Sequence, residues 1–406
     1  MNLFAQKMRT TMLRNTILIT LILGLLVSPL FAAVDIYELL DKAEAGDVNA
    51  QFTLGRMYET GEGGYVDEYE SVKWYEMAAA QGLREAQLNL GRMYAEGRSV
   101  EQNMEKAAEL YRLAAQQQQP EAISNLAMLY ATGEGVEKDM AEAAKWFKQA
   151  AEFGDEEAQY NLGVIYRDGI AGEKNPAEAI KYFGMAIEQG HVKSSLAAAD
   201  MYFFGAGIGQ DFARAAEFYQ KPAENGDLRS QQQLADLYYE GKGVPQDYRA
   251  AAKWYEKVAR TGDADAQYML ALMYAEGQGV LRSDRQAADW YRKAANQGHL
   301  EAEASMGLMY RQGRGVEQSD RKAIGWFEKA ARKGEPISQF NLADYYLTCK
   351  GVLADLVKSY AWLSLAAEQG NADAASALPR VKGLLNPSQI AQAGVEARKY
   401  RSGYAE

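Results

Sequence analysis

The large apolar residues of this 406-residue chain recur in columns whose members are 36 residues apart. One column is tyrosine in nine consecutive units: Tyr58, Tyr94, Tyr130, Tyr166, Tyr202, Tyr238, Tyr274, Tyr310 and Tyr346. A second column holds Trp74, Trp146, Trp254, Trp290, Trp326 and Trp362. A period of this length indicates a repeat protein whose units bury their apolar sides against one another. We expect both columns to be core, so that Tyr238→Ala would empty core volume.

Residues 262–297 show what the first half of a unit encodes. Its apolar residues are four apart, the spacing of one helix face: Ala266, Leu270 and Tyr274. Asp263 is a suitable N-cap for this helix, and Gly277 is a suitable residue to end it. The sequence therefore predicts a helix between these two residues.

A second helix follows a short loop in every unit. The residue predicted to be its N-cap has a short polar side chain in every unit: Asp67, Asn103, Asp139, Asn175, Asp211, Asp247, Ser283, Ser319 and Asp355. Such side chains accept a hydrogen bond from a free first-turn N–H group. Each unit is therefore predicted to be two antiparallel helices.

Six of the loops contain the pattern Gly-x-Gly, at 61–63, 133–135, 205–207, 241–243, 277–279 and 313–315. A phosphate-binding loop would need a preceding strand and the remainder of its motif, which these segments lack. Glycine with a positive φ angle commonly ends a helix. We therefore interpret the glycines as helix stops.

The unit pattern AQxxLGxxYxxGxGVxxDxxxAxxWYxxAAxxG resembles the Sel-one-like repeat family, a relative of the tetratricopeptide repeats. The resemblance implies an all-α fold: a right-handed α/α superhelical solenoid of nine 36-residue helix-turn-helix repeats. It also implies binding to other proteins, often as an adaptor. Bacterial members resemble envelope assembly factors, signalling regulators or secreted host-interacting proteins.

The family's cysteine-rich secreted subgroup carries a disulfide in each repeat, whereas this chain has Cys349 alone. The activities of that subgroup therefore do not transfer to it. Cys349 replaces a turn glycine. It is either a tolerated substitution or the site of an intermolecular bridge.

Residues 1–33 have the features of a secretory signal peptide. Lys7, Arg9 and Arg14 precede the apolar run 17–28, and small residues follow it. This predicts export, to the periplasm or to the medium. An uncleaved anchor that includes this run is the alternative. We assign 34–45 to an N-terminal capping helix, 46–369 to the nine repeats and 370–406 to C-terminal capping helices.

The formal net charge of −11 argues against nucleic-acid binding, and no run of lysine and arginine indicates a membrane-surface patch. His191 and His299 fall at predicted helix starts, without the local partners of a metal site or a catalytic triad. The sequence thus predicts no metal, no cofactor and no catalytic residue. We expect a binding protein. An enzyme acting on envelope polymers is the weaker alternative.

In tetratricopeptide arrays the first helices line a concave groove, and the resemblance places a partner there. Asparagines would bond a peptide backbone, arginines would bind carboxylates, aspartates would favour a basic partner, and aromatic residues would act as anchors. The candidate residues are Phe52, Arg56, Asn89, Arg92, Asn125, Tyr160, Asn161, Asp200, Asp236, Tyr268, Asn341 and Asp344.

The leading hypothesis is an exported interaction scaffold or adaptor that binds a protein or peptide in this groove, in envelope assembly or signalling. A secreted, virulence-type protein that binds a host molecule is the alternative. A purely structural spacer would instead bind at its ends. The sequence identifies neither the partner nor the oligomeric state.

Overall fold

The computed structural model describes residues 36–62 and 65–402, and these ranges contain 21 α-helices and no strand. The predicted signal peptide, 1–33, lies outside them. The described chain begins with α1, Ile36–Glu44, inside the segment predicted as an N-terminal cap. Nine helical hairpins follow. The all-α solenoid of nine helix-turn-helix repeats predicted from the sequence is confirmed.

The chain divides into two compact units, Met1–Ser194 and Ser195–Glu406, and the division falls within the tenth helix. The first unit contains four whole hairpins. Their helices, in chain order, are α2 Val48–Thr60, α3 Glu68–Ala80, α4 Arg84–Glu96, α5 Met104–Gln116, α6 Pro120–Thr132, α7 Met140–Glu152, α8 Glu156–Asp168 and α9 Pro176–Glu188.

The fifth hairpin begins with α10, Val192–Phe204, and four further hairpins follow in the second unit. Its remaining helices are α11 Phe212–Glu224, α12 Leu228–Glu240, α13 Tyr248–Arg260, α14 Ala264–Glu276, α15 Asp284–Asn296, α16 Leu300–Gln312, α17 Asp320–Arg332, α18 Pro336–Thr348, α19 Leu356–Glu368, α20 Ala372–Lys382 and α21 Pro387–Ser402. The last two helices lie inside the segment 370–406 predicted as C-terminal caps.

The predicted caps of all nine second helices are confirmed. Asp67, for example, accepts the backbone N–H of Glu70 at 3.1 Å. Its own backbone N–H donates to the carbonyl oxygen of Tyr58 at 2.9 Å, and this bond recurs in every repeat. The tyrosine position thus closes the turn between the two helices of a hairpin through its main chain.

The loop 277–279 shows why glycine occupies both positions of a Gly-x-Gly loop. Gly277 ends α14 with φ at +75°, in the left-handed region that a residue without a Cβ adopts without strain. A Cβ atom on Gly279 would lie 2.1 Å from the carbonyl oxygen of Tyr248, in the preceding repeat. The second glycine therefore lets this loop contact the start of the preceding second helix, and the same close approach is found at Gly135, Gly243 and Gly315.

The core is built around the aromatic column next to the tryptophan column more than around the tryptophans themselves. The buried members lie one residue after the tryptophan column: Tyr75, Tyr111, Phe147, Phe183, Tyr219, Tyr255, Tyr291 and Phe327. They pack against glycine or alanine of the first helix. A Cβ on Gly163 would lie 2.5 Å from the Phe183 ring. Small residues at this position let the two helices of a hairpin approach closely.

The expectation that all six tryptophans are buried was therefore wrong. Trp254 and Trp362 are buried, and the other four are partly exposed. Tyr238 is also only half-buried. Neighbouring residues on an α-helix differ by about 100° in direction, so a one-residue difference decides which aromatic faces the core.

A buried glutamine in the first helix joins each of several repeats to the one before it; we call this contact the glutamine seam. Gln267 donates its Nε2 hydrogen to the carbonyl oxygen of Ala259, in the preceding repeat, at 3.0 Å. Its Oε1 accepts from Gln297 Nε2 at 2.9 Å, and Gln297 also donates to the Gly262 carbonyl at 2.8 Å. The same first-helix contact is made by Gln51, Gln87, Gln159, Gln231 and Gln339.

Phe327→Ala is expected to destabilise its repeat by about 3–5 kcal/mol, because Phe327 is fully buried and its loss leaves a cavity. Trp326→Ala, at the adjacent and partly exposed residue, should cost less. Hydrogen exchange of the amides in α16 and α17 measures both effects. An equal or larger loss for Trp326→Ala would contradict the core assignment.

Cys349→Gly is expected to stabilise the turn after α18 by about 1 kcal/mol, because Cys349 is held at φ +57°, a strained angle for a residue with a Cβ. The matched control is Gly313→Ala, at the equivalent turn after α16, which should be destabilising. Local hydrogen exchange reports both. If neither variant changed the exchange rates of the amides near its turn, backbone strain at Cys349 would be contradicted.

Candidate partner-binding face

The structure places all twelve candidate residues on first helices, on eight of the nine hairpins. We call the side of the first helices that carries them the first-helix face. Most of these side chains already have partners within the protein. The internal contacts therefore decide which of them are available to a second molecule.

The N-terminal end of the first-helix face is an ion-pair cluster centred on Glu59. This carboxylate accepts hydrogen bonds from Tyr75 Oη at 2.7 Å, Arg98 Nη1 at 3.0 Å and Arg92 Nη2 at 3.3 Å. Burial acts to raise the pKa of Glu59, but the hydrogen bonds from Tyr75 and Arg98 and the charge of Arg92 lower it overall. Arg56 pairs with Glu62 at 3.3 Å. Both predicted carboxylate-binding arginines therefore already hold a carboxylate.

The four candidate asparagines differ in their internal bonds. Asn89 donates to Tyr75 Oη at 3.0 Å. Asn341, expected to be exposed, is instead buried, bonded to the Ile337 carbonyl at 2.8 Å and to the Arg311 side chain. That expectation was wrong because Arg311 of the preceding repeat covers the residue.

Asn125 and Asn161 retain hydrogen-bonding capacity. The Nδ2 atom of Asn161 is buried and has no hydrogen-bond partner among the described residues. The residue 14 positions before it is Phe147, which has no hydroxyl group, whereas the residue 14 before Asn89 is Tyr75. No hydrogen bond of the Asn125 side chain is found in 36–62 or 65–402 either. For Asn161, the phenylalanine in the aromatic column therefore removes the internal partner that Asn89 has in Tyr75.

The aspartates form a matched pair in consecutive repeats. Asp200 accepts from Tyr219 Oη at 2.7 Å and forms an ion pair with Arg229. Asp236 accepts from Tyr255 Oη at 2.6 Å and from Gln232 at 3.1 Å, but it has no ion pair with a described basic residue.

The residue equivalent to Arg229 in the next repeat is Asp265, so Asp236 lacks the corresponding cation. Burial is the main reason that the pKa of Asp236 is raised, and the Tyr255 hydrogen bond opposes it. Asp344, in contrast, is paired with Arg311 at 2.9 Å. Asp236 is therefore the candidate carboxylate that most lacks a positive partner.

The candidate aromatics already contact other rings of the protein. Phe52 contacts the Tyr75 ring, with centroids 5.8 Å apart. Tyr160 contacts His191 at 5.1 Å, and Tyr268 stacks on His299 at 4.6 Å.

The two histidines lie at helix starts, as predicted. His299 Nδ1 accepts the backbone N–H of Ala302 at 3.3 Å, and His191 Nδ1 accepts that of Ser194 at 3.2 Å. An Nδ1 atom that accepts a backbone N–H carries no hydrogen itself. Both rings therefore act as N-caps.

A cavity of about 310 Å³ opens at the C-terminal end of the first-helix face. Phe340, Leu347 and Leu363 form its apolar part. Its charged groups are Asp344, from the candidate set, and Asp373 and Arg380 of α20. Its size is at the lower end of the range for ligand pockets.

Within the described residues, no group of three or more histidine, cysteine, aspartate or glutamate side chains is placed to hold a metal ion. In the same part of the chain, no helix has the length and apolar character needed to cross a bilayer.

Comparison with known proteins places this geometry in a family. The Sel1 repeat model matches nine consecutive segments: 48–83, 84–118, 120–155, 156–191, 194–227, 228–263, 264–299, 300–335 and 336–371. The chain belongs to the Sel1 repeat family. The Sel1 repeat is a scaffold fold for protein interactions and is not typically enzymatic. No curated protein matches the chain.

Two crystal structures of Sel1 repeat proteins are similar over most of the chain. One is c5321, described as a protective antigen present in uropathogenic Escherichia coli strains and displaying an SLR fold. It is 30% identical, with a TM-score of 0.60, and the match covers 90% of this chain and 86% of c5321. The other is a Sel1 repeat protein from Oxalobacter formigenes, 28% identical with a TM-score of 0.50, covering 80% of this chain and 93% of that one.

Asp236→Asn is expected to raise stability at pH 7, because an acid whose pKa is raised by burial destabilises the fold when ionised. The unchanged protein should gain stability relative to this variant as the pH falls through the raised pKa. Asp200→Asn, which leaves Arg229 unpaired, should instead lose about 1 kcal/mol. Urea denaturation between pH 4 and pH 7 measures both, and equal effects of the two substitutions would contradict the assignment.

Proposed function

We propose that this Sel1 repeat protein is an exported scaffold that binds an extended segment of a partner protein along its first-helix face. The role that we propose for it is in envelope assembly or signalling. Asn125 and Asn161 are the observation that carries the proposal. They occupy equivalent positions in consecutive repeats. Within the described residues the Asn125 side chain makes no hydrogen bond, and the Nδ2 atom of Asn161 is buried without a partner.

An asparagine amide both donates and accepts, which matches the N–H and C=O groups of an extended backbone. Two such amides one repeat apart would hold such a backbone at two points. Met128 lies on the same helix as Asn125, and it is 41% exposed. An exposed apolar side chain beside unsatisfied amides supports contact with a protein segment.

Export rests on residues 1–33, whose basic start and apolar run are typical of a signal peptide. Mass spectrometry of the N-terminus of the protein isolated from cells tests it. A mature N-terminus near residue 34 would support cleavage. An intact Met1 in a membrane-associated protein would favour the uncleaved anchor, and an intact Met1 in a cytoplasmic protein would rule out export.

A secreted protein that binds a host molecule is the second candidate. Its support is the likeness to c5321, the protective antigen of uropathogenic Escherichia coli, over most of both chains. Recovery of the protein from the culture medium would favour this candidate. Retention in the envelope would favour the scaffold.

Photo-crosslinking tests the binding face directly. A photoreactive residue at Met128 should capture one partner in cells, whereas the same residue at Leu113 should not. Leu113 is the control because it is similarly exposed, at 42% against 41%, but lies on a second helix. Equal capture from both positions would contradict binding at the first-helix face.

The double variant Asn125→Ala, Asn161→Ala should weaken recovery of that partner about tenfold, because it removes several hydrogen bonds of about 1 kcal/mol each. Asn89→Ala is the control, since Asn89 is already bonded to Tyr75. Quantitative mass spectrometry of the crosslinked product measures the change. Unchanged recovery with the double variant would exclude the two asparagines from binding.

A further inference from the structure

Six basic residues form two rows on the exposed side of three consecutive second helices, α13, α15 and α17. We call this set the basic patch: Arg249, Arg285, Arg321, Lys257, Lys293 and Lys329. The three arginines occupy one column of the repeat and the three lysines another. All six side chains belong to the second compact unit. Eight residues along a helix separate the two rows by about 12 Å.

The charge of these three helices differs from that of the other second helices. Together α13, α15 and α17 carry eleven basic and five acidic residues. The second helices of the other six repeats carry nine basic and twelve acidic residues. The whole chain has a net charge of −11. The positive charge is therefore concentrated at one place on an acidic protein.

The sequence shows no basic run, because the members of each row are 36 residues apart in the chain. The expectation that the protein has no membrane-surface patch rested on linear clustering alone. Stacking of the repeats brings the three helices to the same side of the second unit.

The cations of the basic patch remain available to an outside anion. None of the six forms an ion pair with an acidic residue of the described chain. The acidic residues Glu256 and Asp289 on these helices pair instead with Arg260 and Arg292.

The three lysines are also held in place by tryptophan. The Nζ atoms of Lys257, Lys293 and Lys329 lie over the rings of the tryptophans three residues earlier, at 4.1, 3.6 and 4.1 Å from the ring centroids. An ammonium group that is already positioned loses less conformational freedom when it binds an anion.

The three helices that carry the patch have no exposed large apolar side chain to serve as an anchor for a protein, and the nearest in sequence is Leu281, in the loop before α15. The exposed large apolar residues of the described chain include none from α13, α15 or α17. In the first two repeats, the equivalent columns instead hold the exposed residues Tyr69, Met77 and Leu113. Protein interfaces depend on buried aromatic and apolar anchors, whereas binding to anionic headgroups depends on spread positive charge.

We propose that the basic patch docks the protein on the surface of an anionic lipid bilayer. The partner chemistry is a layer of phosphate-bearing headgroups, and the contact is electrostatic. The basic patch lies on second helices, whereas the first-helix face is carried by the first helix of each hairpin. A scaffold built in this way binds lipid through its second helices and a protein through its first helices.

Vesicle co-sedimentation of the full chain tests the proposal. The probes are vesicles of 30% phosphatidylglycerol in phosphatidylcholine, with pure phosphatidylcholine vesicles to measure any binding by the apolar run 17–28. We expect binding to rise with phosphatidylglycerol and to fall in 0.5 M NaCl. Lys257→Gln, Lys293→Gln, Lys329→Gln should lower the phosphatidylglycerol-dependent partition at least tenfold.

Three further variants make the test specific. Arg249→Gln, Arg285→Gln, Arg321→Gln leaves the tryptophan contacts intact and should cause a similar loss. Lysine-to-arginine substitution at 257, 293 and 329 should retain binding. Lys106→Gln, Lys148→Gln, Lys181→Gln removes three exposed lysines from other second helices and should change the partition less than twofold.

The proposal is overturned if the two vesicle types bind equally, or if the control triple variant loses as much binding as the patch variants. The proposal is also overturned if the chain does not bind the vesicles but binds an acidic protein, and substitution of the same six residues abolishes that binding. That result would assign the basic patch to protein recognition.

Discussion

The glutamine seam is the contact on which the stacking of this protein depends most directly. A buried amide has four hydrogen-bonding sites, and leaving them unpaired away from water is costly. Gln267 pairs its donor group with the Ala259 carbonyl of the preceding repeat and its acceptor oxygen with Gln297 of its own repeat, so both partners must be in place. Apolar packing between neighbouring helices tolerates small shifts, whereas a directional bond to a carbonyl oxygen does not. The seam therefore fixes the register in which one hairpin lies against the next.

A fixed register explains why function is distributed along helix faces. Within each hairpin, glycine or alanine opposite a buried aromatic brings the two helices together, as at Gly163 and Phe183. The first helices then present one set of columns and the second helices another. A change at one column in a few successive repeats is enough to create a binding surface. The buried, unpaired amide of Asn161 is such a change, and the basic patch is another.

The repeat period, the helices and their caps could be predicted from the sequence because they depend on local chemistry. Asp67 caps α3 through a backbone group three residues away. The direction of neighbouring aromatics was not predictable in this way, since Trp326 and Phe327 differ by one residue and only packing distinguishes them. The availability of Asn161 depends on the aromatic column of another helix, at Phe147. The candidate list was therefore correct about the helices that carry it but could not separate satisfied side chains from unsatisfied ones.

The most direct test of the seam is a double-mutant cycle at Glu303 and Lys333, which replace the glutamine pair in one repeat. Lys333 donates to Glu303 at 2.8 Å, and the second carboxylate oxygen of Glu303 is buried without a partner. Lys333→Gln alone should destabilise the protein, because it leaves a buried carboxylate unpaired. The same substitution beside Glu303→Gln should cost little, since the two glutamines recreate the pair formed by Gln267 and Gln297. A coupling energy of at least about 1 kcal/mol between the two sites is the predicted result. Additive effects of the two substitutions would contradict the seam as the contact that sets the register.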